Sequence, residues 1–200
     1  MKNCNYDSYC GIYCGACDIM MAGRTGGKYR LASFWNGKNI RRYQKTIGIE
    51  YDSKQPVTFK CDGCKSGTLF ANCASCQIRK CAIDRKVDYC LDCILYPCTL
   101  IDGFNKVGSL LPHIRNNQDN MERIKESGIK KWLSEQEERW RCPDCKTEFS
   151  WYTNKCKKCG KNLTESSYKF SFLQALILKL GIFIASRKAE QRQIRNKGLS

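Results

Sequence analysis

Residues 141–160 read RCPDCKTEFSWYTNKCKKCG: two Cys-x2-Cys pairs, Cys142/Cys145 and Cys156/Cys159, separated by ten residues. Two residues between ligands let a tight turn aim both sulfurs at one ion while backbone amides donate to them. Two such knuckles joined by a short aromatic hairpin (Phe149, Trp151, Tyr152) make a closed Cys4 site, the arrangement of a zinc ribbon. Four protein ligands leave no position for water, so zinc held there is structural rather than catalytic. Iron in the same sulfur geometry is the rival metal. A unit this small folds only with its metal.

The same spacing recurs along the chain. Cys14/Cys17, Cys61/Cys64, Cys73/Cys76 and Cys90/Cys93 bring the Cys-x2-Cys pairs to six, using twelve of the sixteen cysteines. The remaining four are Cys4, Cys10, Cys81 and Cys98. Dense cysteine means disulfides or metal, and compartment decides between them. The first ten residues have no basic segment leading into an apolar stretch and no small-residue cleavage site. The expectation is therefore a cytoplasmic protein whose thiols are ligands, with all sixteen cysteines as candidates.

A short repeat organises the middle of the chain. Cys73-x2-Cys76-x4-Cys81 recurs as Cys90-x2-Cys93-x4-Cys98, every cysteine displaced by 17 residues. Ile78-Arg79-Lys80 lies in the first gap and Ile94-Leu95-Tyr96-Pro97 in the second. A repeat this short buries no hydrophobic face alone, so it reads as two related metal knuckles. Each supplies three sulfurs, and a tetrahedral site needs a fourth from elsewhere.

The order of motifs carries a resemblance. Tyr9-Cys10-Gly11-Ile12-Tyr13-Cys14-Gly15-Ala16-Cys17 is followed by Cys61-Asp62-Gly63-Cys64, then by Cys73-x2-Cys76-Gln77-Ile78-Arg79-Lys80-Cys81-Ala82, then by Cys90-x2-Cys93-x2-Tyr96-Pro97-Cys98. Over residues 4–105 this resembles a cysteine-rich family of bacterial and archaeal proteins known as a domain of unknown function. The resemblance implies a metal-rich cytoplasmic module and no particular activity. Similar proteins often continue into a helical stretch and a zinc ribbon. Cys4 and the basic segment between the first two clusters depart from the family pattern.

Outside the cysteines, Ile19, Met20, Leu31, Phe34, Trp35, Ile40, Tyr43 and Ile47 are candidate core positions, interrupted by glycines at 23, 26 and 27. Pro112 suits a first helical turn, with Ile114, Met121 and Ile124 near one face and Gly128 closing the helix. A second helix over 129–140 puts Ile129, Trp132, Leu133, Gln136 and Trp140 on one stripe. Glu135, Glu137 and Glu138 sit late in this helix, against its macrodipole, so packing must hold the helix there. The expected fold is a small metal-stabilised α+β protein in four parts. These are a cysteine-rich zinc-knuckle domain (1–105), a helical connector (106–140), the ribbon (141–164), and an amphipathic helix with a basic tail (165–200).

No catalytic set emerges, and a non-enzymatic module is favoured. Cys10-x3-Cys14-x2-Cys17 has the spacing of radical S-adenosylmethionine enzymes, but a cysteine-rich module follows it instead of a barrel. Nucleophilic cysteine chemistry wants a histidine base. His113 is the sole histidine and reads as a surface or capping residue of the connector. Gly23-Arg24-Thr25-Gly26-Gly27-Lys28 lacks the first glycine and the following Ser/Thr of a phosphate loop. An iron–sulfur cluster in the N-terminal domain, and with it a redox role, is the alternative to zinc.

The formal charge of +16 invites nucleic acid, yet each zinc with four thiolates carries a net −2, so four such centres would halve it. Basic character survives locally at Arg41/Arg42, Lys130/Lys131, the ribbon lysines 155, 157, 158 and 161, and the tail. Trp151 and Tyr152 beside those lysines are candidate base-stacking rings. Residues 170–185 are mostly apolar, with Phe172, Leu173, Leu176, Leu180 and Phe183 at near-helical spacing and a basic flank. That helix packs on its own domain, docks a partner or touches a membrane surface. The reading is a zinc-stabilised binding or adaptor module with an unknown protein partner, nucleic acid and membrane contact being further possibilities.

Overall fold

The computed structural model describes residues 4–35 and 59–197. Ile40, Tyr43, Ile47 and the Arg41/Arg42 pair lie outside the described residues. Among those described, α-helices run over Asp18–Thr25, Ala71–Ala74, Gln77–Asp84, Thr99–Lys106, Asn117–Ser127, Ile129–Arg139 and Phe172–Lys197. Strand structure among the described residues amounts to two isolated antiparallel bridges, Arg141–Glu148 and Lys155–Asn162.

The α+β expectation is thus met in its helical part only. The aromatic segment between the ribbon knuckles does not zip into a hairpin, because its backbone groups are bonded elsewhere. Trp151 N–H donates to Ala16 O (3.0 Å), Tyr168 N–H to Trp151 O (2.7 Å) and Leu163 N–H to Asn154 O (2.8 Å).

Those bonds bring distant segments into one core. Tyr13, Ala16 and Phe34 from the start of the chain pack with Met121, Ile124 and Trp132 from the connector. The same cluster takes in Trp140, Cys142, Phe149, Trp151, Tyr152, Cys156, Leu163 and Phe170. Trp132 is fully buried and meets Tyr13 edge-on, ring centroids 6.0 Å apart. A second cluster gathers Ile19, Met21, Ala22, Tyr29, Ala32, Trp35, Cys61 and Phe70. A third, smaller one holds Cys10, Ile78 and Ile101.

The connector follows its sequence signals with one shift. Pro112–Ile114 is a separate 3-10 turn, held by Arg115 Nε donating to Gly108 O (2.8 Å), and the helix starts only at Asn117. Gly128 separates that helix from the next. Two of the glutamates placed against the macrodipole find cations. Arg123 Nε donates to Glu135 Oε2 (2.9 Å) between the two helices, and Lys146 Nζ reaches Glu138 (2.7 Å) from the ribbon. Both carboxyls are held below the usual range by those bonds.

Ser171 and Gln174 form a reciprocal cap at the C-terminal helix. Gln174 N–H donates to Ser171 Oγ (3.1 Å), and Ser171 N–H donates to Gln174 Oε1 (2.8 Å). The helix leans on the main core through Ala175, Leu178 and Ile182. The stripe picked out by spacing faces the other way. Phe172, Leu173, Leu176, Leu180 and Phe183 are exposed, together with Ile177 and Ile184. Because the first half of the helix is apolar nearly all round, spacing alone could not decide which side packs.

Candidate metal centres

Each ribbon knuckle is a turn closed on itself. Cys142 N–H donates to Thr147 O (2.9 Å) and Lys146 N–H to Cys142 O (2.9 Å). In the second, Cys156 N–H donates to Lys161 O (2.8 Å) and Gly160 N–H to Cys156 O (3.0 Å). The residue after each second cysteine must turn left-handed to close the loop, and Lys146 (φ 55°) and Gly160 (φ 77°) do so. The four sulfurs that result lie within 4.8 Å of one another. Cys142 Sγ is 3.6 Å from Cys159 Sγ, and Cys145 Sγ is 3.5 Å from Cys156 Sγ. Tetrahedral zinc at a ~2.3 Å Zn–S distance separates its sulfurs by ~3.8 Å, so the quartet fits one ion with little adjustment.

Electrostatics favour the ligand form at two of the four, while at Cys159 the Lys161 backbone N–H is outweighed by burial and the neighbouring sulfurs, which push the thiol up to about 12. The Thr147 hydroxyl, 3.3 Å from Cys145 Sγ, lowers the Cys145 thiol, and the Cys159 backbone N–H lowers that of Cys156. Thiolates bind metal and thiols do not. A Cys4 group able to hold a metal ion is therefore present, with two buried ligands (Cys142, Cys156), one half-buried (Cys145) and one exposed (Cys159).

The other twelve cysteines are arranged differently. No disulfide joins any of the sixteen. Among the described residues, only the ribbon brings three or more ligand atoms this close together. Cys17 packs against the cluster containing Cys61, and the neighbouring Cys73 lowers the Cys61 thiol. Burial pushes the Cys14 and Cys17 thiols up, with Cys61 among the charged neighbours of both. Cys76, Cys90 and Cys98 pack on Cys10 and its two isoleucines. Burial raises Cys64 as well, with Cys10 its largest charged neighbour. Cys4 Sγ lies 4.0 Å from Asp62 Oδ1, beside the Cys61–Cys64 turn.

Equal spacing in the repeat does not give equal structure. Cys76 precedes the helix Gln77–Asp84, which carries Cys81. Cys93 instead ends a 3-10 turn at Cys90–Asp92, and the next helix waits until Thr99, after Cys98. Pro97 accounts for the difference. The first gap, Ile78-Arg79-Lys80, suits a helix, whereas a proline in the second removes a backbone donor and disfavours helix in the residue before it.

Some site residues carry no signal in the sequence. Asp7, Lys65 and Tyr89 form a network joining three segments: Lys65 Nζ lies 2.7 Å from Asp7 Oδ2, and Tyr89 O–H donates to the same oxygen at 2.6 Å. Burial works to raise Asp7, but the Lys65 and Tyr89 bonds outweigh it and hold the carboxyl below its usual value. Gly63 (φ 112°) lets the Cys61–Cys64 turn approach Asn5, whose carbonyl oxygen would sit 1.7 Å from any added Cβ.

His113 is neither a free surface residue nor a cap. Its ring stacks on Trp151 at 4.0 Å and 8°, and Nδ1 shares a 2.6 Å hydrogen bond with the Tyr152 hydroxyl. Trp151 and Tyr152 are themselves buried, so the expected base-stacking rings are not available to a nucleic acid. Burial pushes His113 down to about 3. The unfolded chain takes up this proton below pH ~6.5, while the folded chain resists it until near its lowered value. The stabilisation is therefore complete above pH ~6.5 and declines on acidification. His113→Phe keeps a ring on Trp151 without the proton. Urea unfolding at pH 7 and pH 5 is expected to show wild type losing about 1–2 kcal/mol more than the variant on acidification. Equal losses would show that His113 takes up its proton in the folded chain as readily as in the unfolded one.

Residues 6–103 match the family described as "Protein of unknown function (DUF3795)". They belong to that family. No curated protein and no solved structure matches the chain. The DUF3795 segment contains the two repeated knuckles and the Cys10–Cys17 cluster, and Cys4 lies outside it. The connector, the ribbon and the C-terminal helix also lie beyond it, yet Tyr13, Ala16 and Phe34 of the DUF3795 segment share the ribbon's core.

Proposed function

We propose that this metal-binding protein is an adaptor stabilised by a structural zinc in its ribbon and held at an anionic lipid surface by its C-terminal helix. The ribbon supplies four sulfurs and no open position, which supports a structural rather than catalytic ion. The observation that carries the adaptor reading is the exposed apolar arc of Phe172–Lys197. Seven large apolar side chains face outward there, Phe172 being 81% exposed.

Positive charge follows directly. The sequence after Ala185 carries Arg187, Lys188, Arg192, Arg195 and Lys197 against one acid, Glu190. Apolar surface beside a cationic flank matches a bilayer whose headgroups are negative. Among the described residues no helix is long and apolar enough to cross a membrane, so the contact would lie in the interface plane.

Co-sedimentation of the full chain with vesicles tests this reading. Vesicles of phosphatidylcholine containing phosphatidylserine are expected to bind it, more weakly as salt rises, and pure phosphatidylcholine to bind it poorly. Because each buried leucine contributes about 1.5–3 kcal/mol, Leu176→Glu with Leu180→Glu is expected to reduce partitioning at least about tenfold. Absence of binding to the anionic vesicles would overturn the proposal.

A further inference from the structure

Four cysteines outside the ribbon line one cavity. Cys81 comes from the helix of the first repeat, and Cys90, Cys93 and Cys98 are all three cysteines of the second. The cavity, partly open to solvent, has a volume of about 220 Å³, and its walls include Ile78, Val87, Leu95, Leu100 and Ile101. The first repeat contributes only its third cysteine, since neither Cys73 nor Cys76 lines the cavity. Structure thus breaks the sequence symmetry, so that a third repeat position completes the second knuckle's trio.

This quartet contrasts with the ribbon inside the same chain. The ribbon sulfurs all lie within 4.8 Å of one another and leave room for a single tetrahedral ion. The four cysteines of the cavity form no such group and line open volume. A single zinc would have to pull four sulfurs to ~3.8 Å and close the space. A polynuclear core of iron and sulfide instead fills a space of this kind and takes one thiolate at each corner or two at each iron. Buried Ile78 and Ile101 form the inner wall, and Arg85 at the cavity edge offsets the negative charge that four thiolates bring.

We propose that Cys81, Cys90, Cys93 and Cys98 bind an iron–sulfur cluster in this cavity, separate from the ribbon's zinc. Cys90 and Cys98 sit against Ile78, Ile101 and Cys10, whereas Cys93 lies outside that packed group. Cys93→Ser is therefore the substitution that removes a ligand with least damage to packing, and Cys4→Ser is its control away from the cavity.

The full chain is isolated without oxygen, and iron, acid-labile sulfide and zinc are measured per chain. Wild type is expected to contain iron and sulfide in comparable amounts, with an absorption shoulder near ~400 nm. Cys93→Ser should lose most of the iron, sulfide and absorption while keeping the ribbon's zinc, and Cys4→Ser should keep all of them. A variant-independent measurement accompanies it: mass-mapped alkylation of native wild-type protein before and after iron chelation. Cys81, Cys90, Cys93 and Cys98 are expected to gain reactivity together when iron leaves.

Zinc without sulfide in the wild-type N-terminal module would overturn the proposal. So would undiminished iron in Cys93→Ser, equal loss in Cys4→Ser, or free reactivity of the four thiols in iron-loaded protein. Failure of the lipid contact leaves these readouts untouched, because none of them involves the C-terminal helix.

Discussion

Cys142→Ser is expected to unfold far more than a ribbon of some twenty residues. Cys142 is fully buried and packs in the cluster that also holds Tyr13, Ala16 and Trp132. Apparent zinc-binding free energies of ~10–16 kcal/mol in small zinc peptides rival the ~5–15 kcal/mol total stability of an ordinary domain. Losing the ion removes what holds Trp140, Phe149 and Trp151 against the start of the chain. The three tryptophans of that cluster, Trp132, Trp140 and Trp151, should lose their near-ultraviolet circular dichroism together. A variant that retains the Trp132 signal while losing the ribbon's would show that the core is not cooperative across its segments.

Trp132→Ala is the second large effect, and it acts without touching a ligand. The indole is fully buried, meets Tyr13 edge-on and donates from Nε1 to Asn120 Oδ1 (3.4 Å). Asn120 Nδ2 in turn donates to Gly11 O (2.8 Å), tying the connector to the first cysteine cluster. Truncation leaves a cavity and an amide with one partner fewer, a loss of about 3–5 kcal/mol in urea unfolding with zinc held saturating. Ile94→Ala, at a side chain 95% exposed, should change stability by less than ~0.5 kcal/mol. Equal effects of the two substitutions would mean that the connector's packing contributes little.

These two residues mark what a sequence can and cannot disclose. Cys142 and Trp132 were both legible, the first from Cys-x2-Cys spacing and the second from its place on a helical stripe, because the physics that fixes them is local. Their meeting in one core was not, since nothing in either pattern says that Trp151 N–H will bond to Ala16 O, 135 positions away. Asp7, Lys65 and Tyr89 are ordinary polar residues until folding places them together. His113 read as a surface or capping residue for the same reason. The repeat of residues 73–81 and 90–98 misled in the opposite direction. Spacing suggested equivalent knuckles, while Pro97 gave the second a different backbone and left Cys81 beside a partner trio from its neighbour. In the C-terminal helix, periodicity located the element, but apolar residues on nearly every side left its packed face undetermined.

Zinc-edge X-ray absorption on the purified full chain tests the ribbon centre most directly. A first shell of sulfur alone, four scatterers at ~2.3 Å, is the predicted result, and it should vanish with Cys142→Ser. A shell containing nitrogen or oxygen, or a chain that carries no zinc, would contradict a closed four-cysteine zinc site at Cys142, Cys145, Cys156 and Cys159.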